Sequence, residues 1–219
     1  MNKTVYIAFS NDLVYQNHLN IIKNSSKLGD VIIGLLTDSA IAKYKTIPHL
    51  SYEQRKKSFH KLNKYIKKIV PQYDLDYTEN LKKLKPNYVT HGDDWKKGNQ
   101  KNIRKKVIRT IKAWSGKLIE YPYDYKKKEI NKSLLKKITN SPENRRAKFN
   151  RLLKCKKIVR FVEAHSPLTG IIAEKTGCFK KNILYEFDGL WSSSLTDSAI
   201  RGKPDNQSVD YSTRINGLN

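Results

Sequence analysis

Cysteine is nearly missing from this 219-residue chain: only Cys155 and Cys178 occur, in unlike surroundings. That excludes a disulfide framework and a four-thiolate zinc site, and leaves both thiols as reduced structural residues. No apolar run approaches the roughly 18 residues that a membrane-crossing helix needs, so no membrane partner is expected. Val5–Phe9 is too short for the core of a secretory signal, and no small-residue cleavage site follows it. The cytoplasm is therefore the expected compartment. Neither G-x-G-x-x-G nor G-x-x-x-x-G-K-[ST] is present, so dinucleotide oxidoreductases and P-loop NTPases lose their sequence basis.

Acidic residues are also scarce: 20 Asp and Glu face 44 Lys and Arg, for a net charge of +24. The imbalance is uneven. Met1 to Arg160 holds 38 basic against 13 acidic residues, whereas Phe161 to Asn219 holds 6 against 7, which places a composition boundary near Arg160. Clustered Lys and Arg gain affinity for polyanions by releasing counterions, and nucleoside triphosphates are anions too. The stretch Lys96 to Lys112, with eight basic residues and no acid, is the place to look for nucleic-acid binding. Its aromatic interleaving is poor and its apolar positions suit a helix packed on a sheet. Nucleic acid is therefore the less favoured partner, and the general lysine excess reads as solvated surface.

Periodicity alternates. Val5–Phe9 and Val31–Leu36 are short β-branched runs separated by Leu19, Ile21, Ile22 and Leu28 at helical spacing. Phe59, Leu62, Tyr65, Ile66 and Ile69 predict an amphipathic helix from Tyr52 to Val70, stopping at Pro71. A short helix over Asp76–Leu84, a buried strand at Asn87–Thr90, a helix over Asn102–Trp114 and a strand at Lys117–Tyr121 follow. This pattern is α/β: a Rossmann-like parallel sheet covered on both faces, with ligand at the carboxyl ends of its strands. Tyr125 to Arg160 reads as a basic linker with a helix over Arg145–Leu153 that starts at Ser141-Pro142-Glu143-Asn144. From Ile158 a strand over Ile158–Val162, a helix over Leu168–Lys175 and a strand over Phe187–Trp191 suggest the start of a second α/β unit. Leu-Thr-Asp-Ser-Ala-Ile occurs at both 36–41 and 195–200, where Thr or Asp would cap a helix that follows a strand.

The first strand-to-helix connection, Phe9-Ser10-Asn11-Asp12-Leu13-Val14-Tyr15-Gln16-Asn17-His18, brings His18 to the start of a helix. Free N–H groups and the positive dipole end attract phosphate there, and an imidazole adds a donor for developing charge. Together with Gly34-Leu35-Leu36-Thr37-Asp38, Tyr52-Glu53-Gln54-Arg55 and His91-Gly92-Asp93-Asp94-Trp95, this block resembles the cytidylyltransferase family. It is most similar to the version fused to phosphoenolpyruvate mutase in phosphonate biosynthesis, and the ordered blocks span about 120 residues. The resemblance implies CTP with Mg2+ as partner and cofactor, and a small phosphonate or phosphate ester as acceptor. It further implies His18, Lys45 and Arg55 as catalytic or phosphate-holding residues. Phe9, Ser10, Tyr15, Asp38, His91, Gly92, Asp93, Asp94 and Ser133 would bind nucleotide.

Two departures from the family pattern stand out. The signature His-x-Gly-His is Tyr15-Gln16-Asn17-His18 here, so a phenol that is neutral near pH 7 replaces an imidazole and a side chain replaces a glycine. The second signature, an Arg-x-x-Gly-Ile-Ser-Thr-like helix start, corresponds to Lys128-Glu129-Ile130-Asn131-Lys132-Ser133, with Lys126 to Lys128 as substitute charge. A second resemblance, carried by Glu163-Ala164-His165-Ser166-Pro167-Leu168, Phe187 to Leu195 and Gly202-Lys203-Pro204-Asp205, is to the opening of the phosphoenolpyruvate mutase barrel. It places Trp191, Ser193, Ser194, Leu195 and Asp205 at substrate-contacting positions. A complete (β/α)8 barrel takes roughly 200 residues or more, so residues 158–219 imply an incomplete barrel without mutase activity of its own. The expected organisation is 1–130 cytidylyltransferase-like, 131–157 basic linker and helix, and 158–219 mutase-like. A second copy, or a separate chain carrying the rest of the barrel, is the expected protein partner. The alternatives are a nucleotide-binding or assembly module without turnover, and a basic nucleic-acid-binding protein.

Overall fold

A computed structural model describes residues 3–96, 100–122, 132–180 and 183–216. The chain divides into two compact units, Met1–Lys156 and Lys157–Asn219.

The first unit is built on five parallel strands. In chain order come β1 (Thr4–Phe9), α1 (Gln16–Ser26), β2 (Asp30–Leu36), α2 (Asp38–Ala42), α3 (Tyr52–Ser58) and β3 (Lys68–Gln72). Next are α4 (Thr78–Leu84), β4 (Tyr88–Gly92), α5 (Lys101–Lys112) and β5 (Lys117–Tyr121), then α6 (Lys132–Asn140) and α7 (Pro142–Cys155). The sheet order is β3-β2-β1-β4-β5. β1 pairs with β2 from Thr4↔Asp30 to Phe9↔Leu35 and with β4 at Val5↔Tyr88 and Tyr6↔Val89. Strand order therefore reverses between β1 and β4, which opens a crevice at their carboxyl ends.

The alternation along β1 and β2 explains the two layers. Val5, Ile7, Phe9, Val31, Ile33 and Leu35 pack with Ile21 and Ile22 of α1, whereas Tyr6 and Ile32 face Leu81 of α4 and Val107 and Ile111 of α5. Tyr6 reaches into the second layer as a polar strut: its hydroxyl donates to Gln72 Oε1 at 2.5 Å and accepts from Asn80 at 2.9 Å. Gly34 makes room for it, since a Cβ there would lie 1.8 Å from the Tyr6 hydroxyl.

The helix expected over Tyr52–Val70 is corrected. α3 ends at Ser58, a 3-10 turn spans His60–Leu62, and Lys68–Gln72 is a strand. The apolar positions were sound as burial signals, because Phe59 and Ile66 are buried in the layer under α1. The conformation differs because Lys67 N–H bonds Val31 O at 2.9 Å, which draws the chain onto the open edge of β2. Pro71, without a donor, fits an edge strand, where one side has no neighbour. Within Tyr125–Arg160, α7 and its Ser141 cap, which accepts from Asn144 N, agree with the expected helix, whereas α6 occupies part of the expected linker. In the first copy of the repeated hexapeptide Thr37 caps α2. In the second the cap is Ser193, outside the repeat.

The second unit contains β6 (Phe161–Glu163), α8 (Pro167–Lys175), β7 (Gly177–Lys180), β8 (Ile183–Glu186), β9 (Gly189–Trp191), α9 (Ser194–Ile200) and α10 (Tyr211–Asn216). β6 and β9 pair in parallel and β7 and β8 form an antiparallel pair. Among the described residues, Ala164, Ala173 and Val209 are its buried apolar residues, while Leu168, Phe179, Trp191, Leu195 and Tyr211 are exposed.

Candidate active site

A cleft of about 230 Å³ lies at the reversal point, lined by the end of β1, the start of α1 and the end of β4. Phe9, Ser10 and Asn11 form one wall, His91, Gly92 and Asp94 the facing one, and His18, Tyr44 and Lys45 complete it. Strand ends supply the walls because parallel β1 and β4 release their chains on the same side of the sheet.

His18, in the first turn of α1, is buried. Its Nδ1 accepts from the Tyr15 backbone N–H at 3.2 Å, reaching back as a helix cap. Its Nε2 lies 3.0 Å from the Asn11 side-chain nitrogen, so Asn11 occupies that side of the ring. Phe9 meets the imidazole edge-on, with ring centres 4.9 Å apart. Burial pushes the His18 pKa down to about 4, against an opposing pull from Asp94. The resting imidazole is therefore neutral near pH 7.

Lys45 supplies the cation. Its ammonium donates to Ser10 Oγ at 3.4 Å, and burial lowers its pKa from the ordinary lysine value, with Asp12 opposing and Arg55 adding to the decrease. On the facing wall the His91 ring stacks on Trp95 at 3.9 Å and 6°. Trp95 Nε1 donates to Glu120 at 2.6 Å, and Arg104 grips the same carboxylate through Nε and Nη2 at 2.8 and 2.9 Å. Arg104 holds the Glu120 carboxyl below its usual range, while the His91 ring, 3.6 Å away, does the same for Asp94.

Other sequence-stated site residues lie apart from the cleft lining. Tyr15 caps α1, with its ring centre 5.4 Å from that of His18. Arg55 is fully buried and donates through Nη2 to Leu36 O and Asp38 Oδ1, each at 2.8 Å. Its Nε and Nη1 make no hydrogen bond to the described residues. Asp38 is held between Arg55 and Arg151 Nη1, the latter at 2.7 Å. Asp93 opens the short turn Asp93–Lys96, and Ser133 is exposed on α6. The remaining second-signature positions, 126–131, lie outside the described residues. In the second unit Trp191 ends β9, Ser193 caps α9, and Ser194 donates to Asp205 at 3.4 Å, while Leu195 is exposed. Among the described residues no three His, Cys, Asp or Glu side chains gather to hold a metal ion, and Asp94 is the only carboxylate lining the cleft. No helix among the described residues is long and apolar enough to cross a membrane.

Sequence reasoning overlooked Asn11, Tyr44 and the Arg104–Glu120 support. Asn11 lay inside the quoted β1–α1 connection, whereas the Arg104–Glu120 pair is joined only by the fold.

A family profile described as cytidylyltransferase-like matches residues 12–162. The chain belongs to the cytidylyltransferase-like family. No curated relative matches it. Among solved structures, this cytidylyltransferase-like chain is similar to a lipopolysaccharide core biosynthesis protein from Thermoplasma volcanium GSS1. The two are 20% identical with a TM-score of 0.45, over 57% of this chain and 100% of that one. A universal stress protein in complex with cAMP is 11% identical at a TM-score of 0.34, over 54% and 95% of the two chains. The N,N'-diacetylchitobiose deacetylase from Pyrococcus horikoshii is 16% identical at 0.36, over 69% and 76%. For a cytidylyltransferase-like protein, a cleft combining a helix N-terminus, a buried imidazole and a lysine is suited to bind phosphates and to stabilise charge that develops on them.

Proposed function

We propose that this protein transfers CMP from CTP to a phosphoryl oxygen of a small phosphonate or phosphate ester, releasing pyrophosphate, as a step in phosphonate biosynthesis. The acceptor oxygen forms a bond to the α-phosphorus while the bond to the β-phosphate oxygen breaks and its electron pair leaves with pyrophosphate. The carrying observation is the convergence of His18 Nε2, the α1 N-terminus and Lys45 on one cleft at the strand reversal. His18 donates to a phosphate oxygen as charge builds, Lys45 offsets the leaving charge, and His91 with Asp94 lines the nucleotide end. When bound with the triphosphate, Mg2+ would supply charge neutralisation, and Asp94 is the cleft carboxylate that would hold it. Catalysis on this reading is positioning and charge stabilisation, with no covalent enzyme intermediate. The test is pyrophosphate release from CTP or ATP with Mg2+ and a panel of aminoethyl- and hydroxyalkyl-phosphonates. Release dependent on CTP and acceptor supports the reading, and its absence across the panel overturns it.

Tyr15 and Asn17 favour a second reading, a domain that binds nucleotide without turnover. Asn17 is buried where the family places glycine. Nucleotide binding without release, with turnover restored by Tyr15→His plus Asn17→Gly, would decide for it. The parallel pairing of β6 and β9, with Trp191 at the carboxyl end of β9, supports reading residues 158–219 as an opening of a mutase-like barrel. Its exposed apolar side chains fit association with a second copy or with a chain carrying the remaining strands.

A further inference from the structure

We infer that Arg151, on α7, is a positioning residue for the cleft: it clamps the segment that carries Lys45, a role that rests on the transferase reading only for its consequence on ligand binding. The segment between α2 and α3 runs from Lys43 to Ser51, with Lys45 on the cleft and Pro48, His49 and Leu50 beyond it. Short segments of this kind have their backbone groups satisfied by whatever packs against them. Here both sides are taken by ionised side chains. The Asp12 carboxylate, from the β1–α1 connection, accepts from the N–H groups of His49 and Leu50 at 3.0 and 2.8 Å. Arg151 donates through Nη2 to the carbonyls of Pro48 and His49 at 3.0 and 2.6 Å, and through Nη1 to that of Leu50 at 3.1 Å.

The same Nη1 bonds Asp38, which holds Arg55, which in turn bonds Leu36 O at the end of β2. Gln54, whose side chain accepts from Ser51 N–H, donates to Asn144 of α7 at 3.2 Å. The chain of bonds therefore closes around the Lys45 segment from α7, β2 and the β1–α1 connection together. Neither Arg151 nor Asp12 lines the cleft, so Arg151 acts through the placement of Lys45. A planar guanidinium spans four oxygen acceptors at once, and an ammonium with one nitrogen does not. Charge alone is insufficient at this position.

The test compares wild type, R151K and a control on the exposed side of the same helix, K154M. Amide exchange is read over 43–50, with the core strands 4–9 and 30–36 as internal reference. Acylation of Lys45 is measured relative to neighbouring Lys43, a ratio that uniform destabilisation does not change. R151K is expected to speed exchange over 43–50 by about tenfold, to raise the Lys45:Lys43 ratio, and to weaken CTP or tripolyphosphate binding by about tenfold. K154M leaves all three as in wild type. If exchange over 43–50 and the acylation ratio in R151K match wild type, the inference is wrong, whatever the binding result. If wild type binds neither CTP nor tripolyphosphate, the transferase reading fails while the exchange and acylation arms still judge the clamp. Should R151K not fold, native-state exchange of wild type in low denaturant decides. The clamp requires the His49 and Leu50 amides to open together with 142–155, and opening of 48–50 while α7 stays protected overturns it.

Discussion

Replacing His18 with Gln should remove a pH dependence of folding that the wild-type chain carries. The imidazole is buried in the first turn of α1, and burial lowers its pKa from 6.5 to about 4. Protonation is therefore easier in the unfolded chain than in the folded one. Where the folded value is depressed for a base, the unfolded state binds the extra proton, so stability is present above pH 6.5 and declines as pH falls toward 4. At about 1.4 kcal/mol per pH unit, the loss between pH 7.5 and pH 5 comes to about 2 kcal/mol. Gln keeps an amide near the Nε2 position and has no proton to gain. Urea unfolding of wild type and H18Q at matched ionic strength from pH 7.5 to pH 5 gives the comparison. The variant is less stable at pH 7.5 by whatever packing it loses, and the gap narrows or reverses as pH falls. Parallel curves for the two proteins over this range would refute the reasoning. If the cleft binds triphosphate as proposed, its negative charge would raise the His18 pKa, so CTP affinity should strengthen between pH 7 and pH 5.5 in wild type, with proton uptake, and much less in H18Q.

Gly34→Ala places a methyl carbon 1.8 Å from the Tyr6 hydroxyl and 2.8 Å from Gln72 Oε1. It should cost about 1–3 kcal/mol in urea unfolding, and a change below about 0.5 kcal/mol would contradict the packing described. Asp38→Ala leaves the fully buried Arg55 without its carboxylate and removes one acceptor of Arg151. A loss of about 3–5 kcal/mol is expected by thermal or urea unfolding, and a near-neutral effect would mean that the three charges are more hydrated than their burial indicates. Lys45→Met should weaken tripolyphosphate binding by calorimetry with little change in melting temperature, and equal affinity in the two proteins would remove Lys45 from the phosphate site.

Much of the sheet was legible in the residues. Val5–Phe9 and Val31–Leu36 are β-branched and apolar because both faces of a parallel sheet are covered, and α5 shows one apolar stripe because only one side of it packs. Residues 52–70 misled for a specific reason. Phe59, Leu62, Tyr65 and Ile66 are apolar at helical spacing, yet the spacing records only that they face the core layer under α1. Whether the chain reaches that layer as helix or as turn and strand depended on the free edge of β2, which no local window contains. Of the site, His18, Ser10, Lys45, His91, Gly92 and Asp94 were named from sequence blocks and meet at one cleft.

The amino-acid sequence by itself determined the alternation of strand and helix, the burial of β1 and β2, the basic first part and the His18-bearing connection. Each is a property of residue type and short-range spacing, and the physics of burial and capping acts on it locally. Tertiary structure alone decided the order β3-β2-β1-β4-β5, and with it which strand ends face one cleft. It also decided that Asp38 and Arg55 form a buried ionic link with Arg151, and that Asp12 and Arg151 hold one peptide segment from two sides. These partners lie 17 to 113 residues apart in the chain. Ionic and hydrogen-bond complementarity at such separations exists only after the sheet has brought the elements together.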